Sequence, residues 1–126
     1  MARTIAVFDD DAAILDLMRD ALAGEGYQTV AETTADDALA IVLRARPALV
    51  ILDFWMAGRA AGLQALRLIR EHPAIGATPV LICSADHAAL FDYEEDWRAL
   101  GCETLAKPFD LNDLLERVGR LAGDVR

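Results

Sequence analysis

Short apolar runs and longer stretches of helical periodicity alternate along this chain from end to end. Thr4-Ile5-Ala6-Val7-Phe8 is the first run, and others cover 27–31, 48–52, 79–83 and 103–106. Runs of this length bounded by polar or turn residues read as buried strands. The third, Leu49-Val50-Ile51-Leu52, is apolar throughout and so reads as central. Between the runs the apolar period lengthens. Asp11 is an N-cap candidate ahead of Ile14, Leu17, Met18, Ala21 and Leu22, and Gly24 and Gly26 end that helix. Thr34 is the next N-cap, with Asp37 at the third helical position and Ala38, Ile41, Val42 and Ala45 on one face. A helix over 63–71 presents Leu63, Leu66 and Ile69. One over 87–100 presents Leu90, Tyr93, Trp97 and Leu100 and stops at Gly101. A last one, capped by Asp110, turns Leu111, Leu114, Leu115, Val118 and Leu121 inward.

Five strand–helix units with short connections predict an α/β fold, (βα)5. Right-handed crossovers make it a doubly wound five-stranded parallel sheet with helices on both faces. The 126 residues suit a single domain spanning 1–126. Periodicity does not give the strand order. The order 2-1-3-4-5 would gather the ends of strands one, three, four and five around one crevice.

Those ends are where the chain departs from a plain core. The first run finishes on Asp9-Asp10-Asp11, the third on Asp53, the fourth on Ser84 and the fifth on Lys107-Pro108. In a parallel sheet the carboxyl ends share one edge, where ligands bind. Carboxylates, a hydroxyl and an amine on that edge suit Mg²⁺ and a phosphoryl group. Each residue also has a plainer reading. An acid in 9–11 can cap a helix, Asp53 can be a loop acid, Ser84 a strand-end turn and Lys107 a surface turn. Three acids in a row exceed what capping needs.

Composition narrows the field further. Apolar residues are 55% of the chain, yet no run approaches the ~20 residues of a membrane span. The N-terminus shows no secretory pattern, so a cytoplasmic location is the default. Cys83 and Cys102 sit in or beside apolar runs and read as small core hydrophobes, and His72 and His87 stand alone. A net charge of −9 repels nucleic-acid phosphates, so direct nucleic-acid binding is not expected.

Taken in order, Asp9-Asp10, Asp53, Ser84-Ala85 and Lys107-Pro108-Phe109 resemble the response-regulator receiver domains of two-component signalling, chemotaxis-regulator-like, over essentially the whole chain. The resemblance implies a flavodoxin-like sheet of order 2-1-3-4-5. It implies that Asp53 is the phosphoacceptor and that Mg²⁺ is held by Asp9, Asp10, Asp53 and the backbone carbonyl of Trp55, with Asp9 acting through a metal-bound water. Lys107 and Ser84 would bind phosphoryl oxygens, and the small Ala85 would leave the phosphate room. The Lys107–Pro108 bond would be cis. A sensor histidine kinase or histidine phosphotransfer protein would be the donor, and a downstream protein or output domain the receiver of the signal. A weak homodimer through the last helices is a further implication. The readout surface would include Tyr93, Trp97 and Thr104.

Three features differ from the family pattern. Thr104 stands where an aromatic switch residue usually precedes the lysine by three. Met56-Ala57-Gly58 replaces Met-Pro-Gly in a loop one residue longer, and lacking proline it is freer. Trp55 is bulky beside the acceptor, where its ring could shield an acyl phosphate from water. Two rival readings follow from the same residues. One is a receiver-like interaction module that is never phosphorylated. The other is a haloacid-dehalogenase-type phosphatase with Asp9 as nucleophile and Asp11 as general acid, which leaves Asp53 without a role.

Overall fold

The computed structural model describes residues 3–123. The expectations for the extreme N-terminus and for the tail beyond Gly123 lie outside the described residues. The elements run β1 (Thr4–Phe8), α1 (Ala12–Gly24), β2 (Gln28–Glu32), α2 (Ala38–Ala45), β3 (Leu49–Asp53), α3 (Ala61–Glu71), β4 (Val80–Ser84), α4 (His87–Asp92), α5 (Glu94–Ala99), β5 (Glu103–Ala106) and α6 (Leu111–Ala122). All strand pairings are parallel, in the order β2-β1-β3-β4-β5 expected above.

The two faces of the sheet follow from strand alternation. Ile5, Val7, Leu49, Ile51, Leu81, Cys83 and Leu105 point one way, into a cluster with Leu15, Met18 and Leu22 of α1 and Leu114 and Val118 of α6. Ala6, Phe8, Val50, Leu52 and Ile82 point the other way, against α2, α3 and Trp97 of α5. Each fully buried large side chain contributes about 1.5–3 kcal/mol, and both clusters run unbroken up to the polar strand ends.

Capping works as expected at two helices. Asp11 accepts from the N–H groups of Ala13 and Ile14, and Asp110 from those of Asn112 and Asp113. It differs at α2. The Thr34 hydroxyl accepts from Asp36 N–H at 3.1 Å, so residues 34–36 form a side-chain turn and the helix begins only at Ala38. Helix α3 starts at Ala61, two residues earlier than periodicity indicates.

The helix expected over 87–100 is two helices joined at Tyr93. The Trp97 indole Nε1 donates to the Leu90 carbonyl at 3.1 Å, the oxygen that a continuous helix would offer to the Glu94 N–H. Two expected inward residues face solvent instead. Leu17 is 49% exposed because α1 packs through the Leu15, Met18 and Leu22 stripe, and Leu111 is exposed in the first turn of α6.

Candidate functional site

Strand register builds the site. Phe8 pairs with Leu52, which brings Asp9 level with Asp53 at the carboxyl edge. Ser84 pairs with Ala106, which leaves Lys107 as the first residue past β5, its N–H donating to the Ser84 carbonyl at 2.8 Å. One carboxylate oxygen each from Asp9, Asp10 and Asp53 falls within a 4.8 Å cluster. Lys107 Nζ lies 2.6 Å from Asp9 Oδ2 and 3.4 Å from Asp53 Oδ2. Asp9 is buried, and its other oxygen accepts from Asp11 N–H at 2.9 Å. Asp10 is exposed at the rim, where its Oδ2 accepts from Ala57 N–H at 3.4 Å.

Electrostatics at Asp53 follow from this crowding. Burial raises its pKa from 3.8 to about 6; Lys107 pulls it down, while the charges of Asp9 and Asp10 push it up. Burial disfavours the Lys107 ammonium too, but its hydrogen bond to Asp9 and the charges of Asp53 and Asp9 outweigh this, and its pKa rises. The two thiols behave as core groups: burial pushes Cys83 up to about 12 and Cys102 up to about 11.

The loop after β3 closes as a hydrogen-bonded turn. Met56 and Arg59 exchange backbone hydrogen bonds of 3.1 and 3.2 Å around Ala57 (φ 54°) and Gly58 (φ 72°). Two consecutive positive φ angles make a tight primed turn, which proline could not enter. Gly62 then lets α3 approach β3 closely: a Cβ there would collide with the Asp53 carbonyl oxygen.

Trp55 is exposed, its indole Nε1 donating to Asp86 Oδ2 at 2.9 Å. Ser84 is buried, its hydroxyl accepting from Asp86 N–H at 3.0 Å, and Ala85 is exposed beside it. Asp86 was not singled out from the sequence. Its one legible signal was an acid two residues past a strand end, at an N-cap position ahead of α4, where it accepts from Ala89 N–H at 3.0 Å. Of the readout candidates, Tyr93 and Thr104 are half-buried, whereas Trp97 is buried beneath a groove of about 910 Å³ whose rim includes His87, Phe91 and Arg117.

Residues 5–119 match the family model of the response regulator receiver domain. The chain belongs to this family. Receiver domains are phosphoryl-accepting signalling switches, and they generally bind Mg²⁺ at a cluster of aspartates. The nitrogen assimilation regulatory protein NtrX of Azorhizobium caulinodans is 41% identical over 86 residues, 67% of this chain and 18% of that protein. The phosphate regulon transcriptional regulatory protein PhoB of Klebsiella pneumoniae is 31% identical over 123 residues, 94% of this chain and 51% of that protein. The chain therefore spans at most about half the length of these curated relatives. The chemotaxis protein CheY4 of Vibrio cholerae has the same fold, with a TM-score of 0.84 at 23% identity over 96% of this chain and 99% of that one. Among the described residues no helix is long and apolar enough to cross a membrane.

The donor set of this receiver domain fits a hard divalent cation. Three carboxylates converge, all are oxygen ligands, and Asp10 opens the cluster to solvent, as an ion that retains waters requires.

Proposed function

We propose that Asp53 takes a phosphoryl group from a phosphohistidine and that this switches a partner-binding surface. The single observation behind this reading is the convergence of Asp9, Asp10 and Asp53 with Lys107 Nζ, 3.4 Å from Asp53 Oδ2. An Asp53 carboxylate oxygen attacks phosphorus, the P–N bond breaks, and the imidazole nitrogen keeps the electron pair. With the other ring nitrogen of the phosphohistidine already protonated, an acyl phosphate and a neutral histidine result. Without metal, burial raises the Asp53 pKa to about 6, and the ionised carboxylate is the form that attacks. Lys107 offers an ammonium to a phosphoryl oxygen, and the Ser84 hydroxyl can turn from Asp86 N–H to another.

Mg²⁺, held by Asp9, Asp10, Asp53 and the Trp55 carbonyl, would neutralise the repulsion between attacking and attacked anions. In this reading 1–126 is one receiver unit working in the cytoplasm, with a sensor kinase or histidine phosphotransfer protein as donor. Its target is a downstream protein or output domain, not nucleic acid directly, and copies pair only weakly. The exposed Trp55 ring would shield the acyl phosphate from water.

The phosphatase alternative finds no support in the geometry. Both Asp9 oxygens are engaged, by Lys107 and by Asp11 N–H, and the Asp11 carboxylate caps α1. Incubation with acetyl phosphate and Mg²⁺, followed by peptide mapping of the hydroxylamine-sensitive label, tests the proposal. Label on the Asp53 peptide supports it. Its absence there, with no transfer from a kinase either, leaves the unphosphorylated module.

A further inference from the structure

Thr104 carries no ring, so a route from Asp53 to the outer helices through an aromatic at that position is absent from this chain. The described side chains offer another, and it centres on Asp86. Its N–H is held by the Ser84 hydroxyl at 3.0 Å. Its Oδ1 holds Ala89 N–H at 3.0 Å, in the first turn of α4, and its Oδ2 holds the Trp55 indole N–H at 2.9 Å. One residue thus touches the Ser84 hydroxyl at the end of β4, the start of α4 and the side chain two positions past Asp53.

The Trp55 ring continues the path. It meets Phe54 edge-on, with centroids 5.0 Å apart. Phe54 lies 5.3 Å from Tyr93 and 5.6 Å from Trp97, and Tyr93 and Trp97 are 6.0 Å apart. Tyr93 is the joint between α4 and α5, and the Trp97 indole holds the Leu90 carbonyl of α4. A displacement of Asp86 therefore reaches both helices, through the cap of α4 and through four packed rings.

We propose that Asp86 is a positioning residue that couples the Ser84 hydroxyl to α4 and α5 through its hydrogen bonds to the α4 first turn and the Trp55 indole. The inference rests on the reading of Asp53 as phosphoacceptor. When the Ser84 hydroxyl turns to a phosphoryl oxygen, the Asp86 N–H loses its acceptor. Asp86, the α4 cap and the Trp55 ring then move as one unit, and the Phe54, Tyr93 and Trp97 rings repack with them. Packed rings have few alternative arrangements, which favours a discrete response.

The test is ¹H–¹⁵N NMR of the full chain, titrated with Mg²⁺ and beryllofluoride as a phosphoryl mimic. The indole resonances of Trp55 and Trp97 are assigned by the Trp55→Phe spectrum. In wild type, the amides of Asp53, Ser84 and Asp86 and both indole resonances are expected to move. Asp86→Asn retains an oxygen for the α4 cap but turns an amide N–H₂ or a shared oxygen toward the indole. It should keep the Asp53 and Ser84 shifts while cutting the Trp97 indole shift to less than about half. Asp86→Ser, which also caps, serves as the second variant and should do the same. Trp55→Phe should reduce the Trp97 response as well, and Trp55→Phe/Asp86→Asn should reduce it no further than the larger single effect. Trp97 responses of wild-type size in both Asp86 variants would overturn the coupling and leave the phosphoacceptor reading standing. A wild-type chain in which neither Asp53 nor Ser84 responds would overturn both together.

Discussion

Lys107 Nζ stands closer to Asp9, at 2.6 Å, than to Asp53, at 3.4 Å. The ammonium therefore neutralises the buried acid beside β1 while remaining within reach of Asp53. The ammonium neutralises charge that a bound divalent cation would otherwise neutralise alone, so the two would compete for the same carboxylates.

Replacing Lys107 by methionine leaves Asp9 buried without its counter-charge. Stability without Mg²⁺ should fall by about 1–3 kcal/mol, less than a fully dry pair would lose because Asp10 opens the site to water. Mg²⁺ should restore part of the loss and bind more tightly than to wild type. Urea unfolding with and without Mg²⁺ measures both; looser Mg²⁺ binding would count against the competition.

Asp53 gives a pH signature. Its folded pKa is about 6 against 3.8 for an ordinary aspartate. Between those values the unfolded chain has released the proton and the folded chain has kept it, so stability drops as pH rises and the full cost persists above about 6. Asp53→Asn removes that cost. Without metal the variant should gain up to about 3 kcal/mol near pH 7.5, and the gain should vanish toward pH 4. Thermal unfolding in chelator across that range would show it, and a gain that grows on acidification would contradict it.

The turn at Ala57 is a local test of the site's loop. Its φ of 54° suits glycine, so Ala57→Gly should stabilise by about 0.5–1 kcal/mol. Ala57→Pro cannot adopt that angle and loses the N–H that Asp10 accepts, so it should destabilise by more than about 1 kcal/mol. Chemical denaturation of the two variants gives both signs.

Trp55 should lengthen the life of the acyl phosphate. Trp55→Ala opens the space beside Asp53, and the half-life of the labelled protein should shorten by about threefold or more if the ring excludes water. An unchanged half-life would remove that role.

Much of this was legible because strand ends carry little else. Asp9, Asp53, Ser84 and Lys107 each close an apolar run, and parallel register alone brings such residues to one edge. What the sequence hid were interactions between segments. Thr34 looks like an N-cap until its hydroxyl is seen holding Asp36. The break at Tyr93 depends on an indole seizing the Leu90 carbonyl, which helical spacing cannot reveal. Asp86 reads as an ordinary cap because the partners that set it apart, Trp55 and Ser84, lie outside its own helix. The primed turn at Ala57 and Gly58 shows only in their two positive φ angles, which an alanine does not announce.

The most direct measurement is intact-mass and peptide mass spectrometry after acetyl phosphate with Mg²⁺, on wild type and Asp53→Asn. One added PO₃ group on the peptide carrying Asp53, lost in chelator and in Asp53→Asn, is the predicted result. The same group on Asp9, or equal labelling of Asp53→Asn, would contradict the assignment of Asp53 as acceptor.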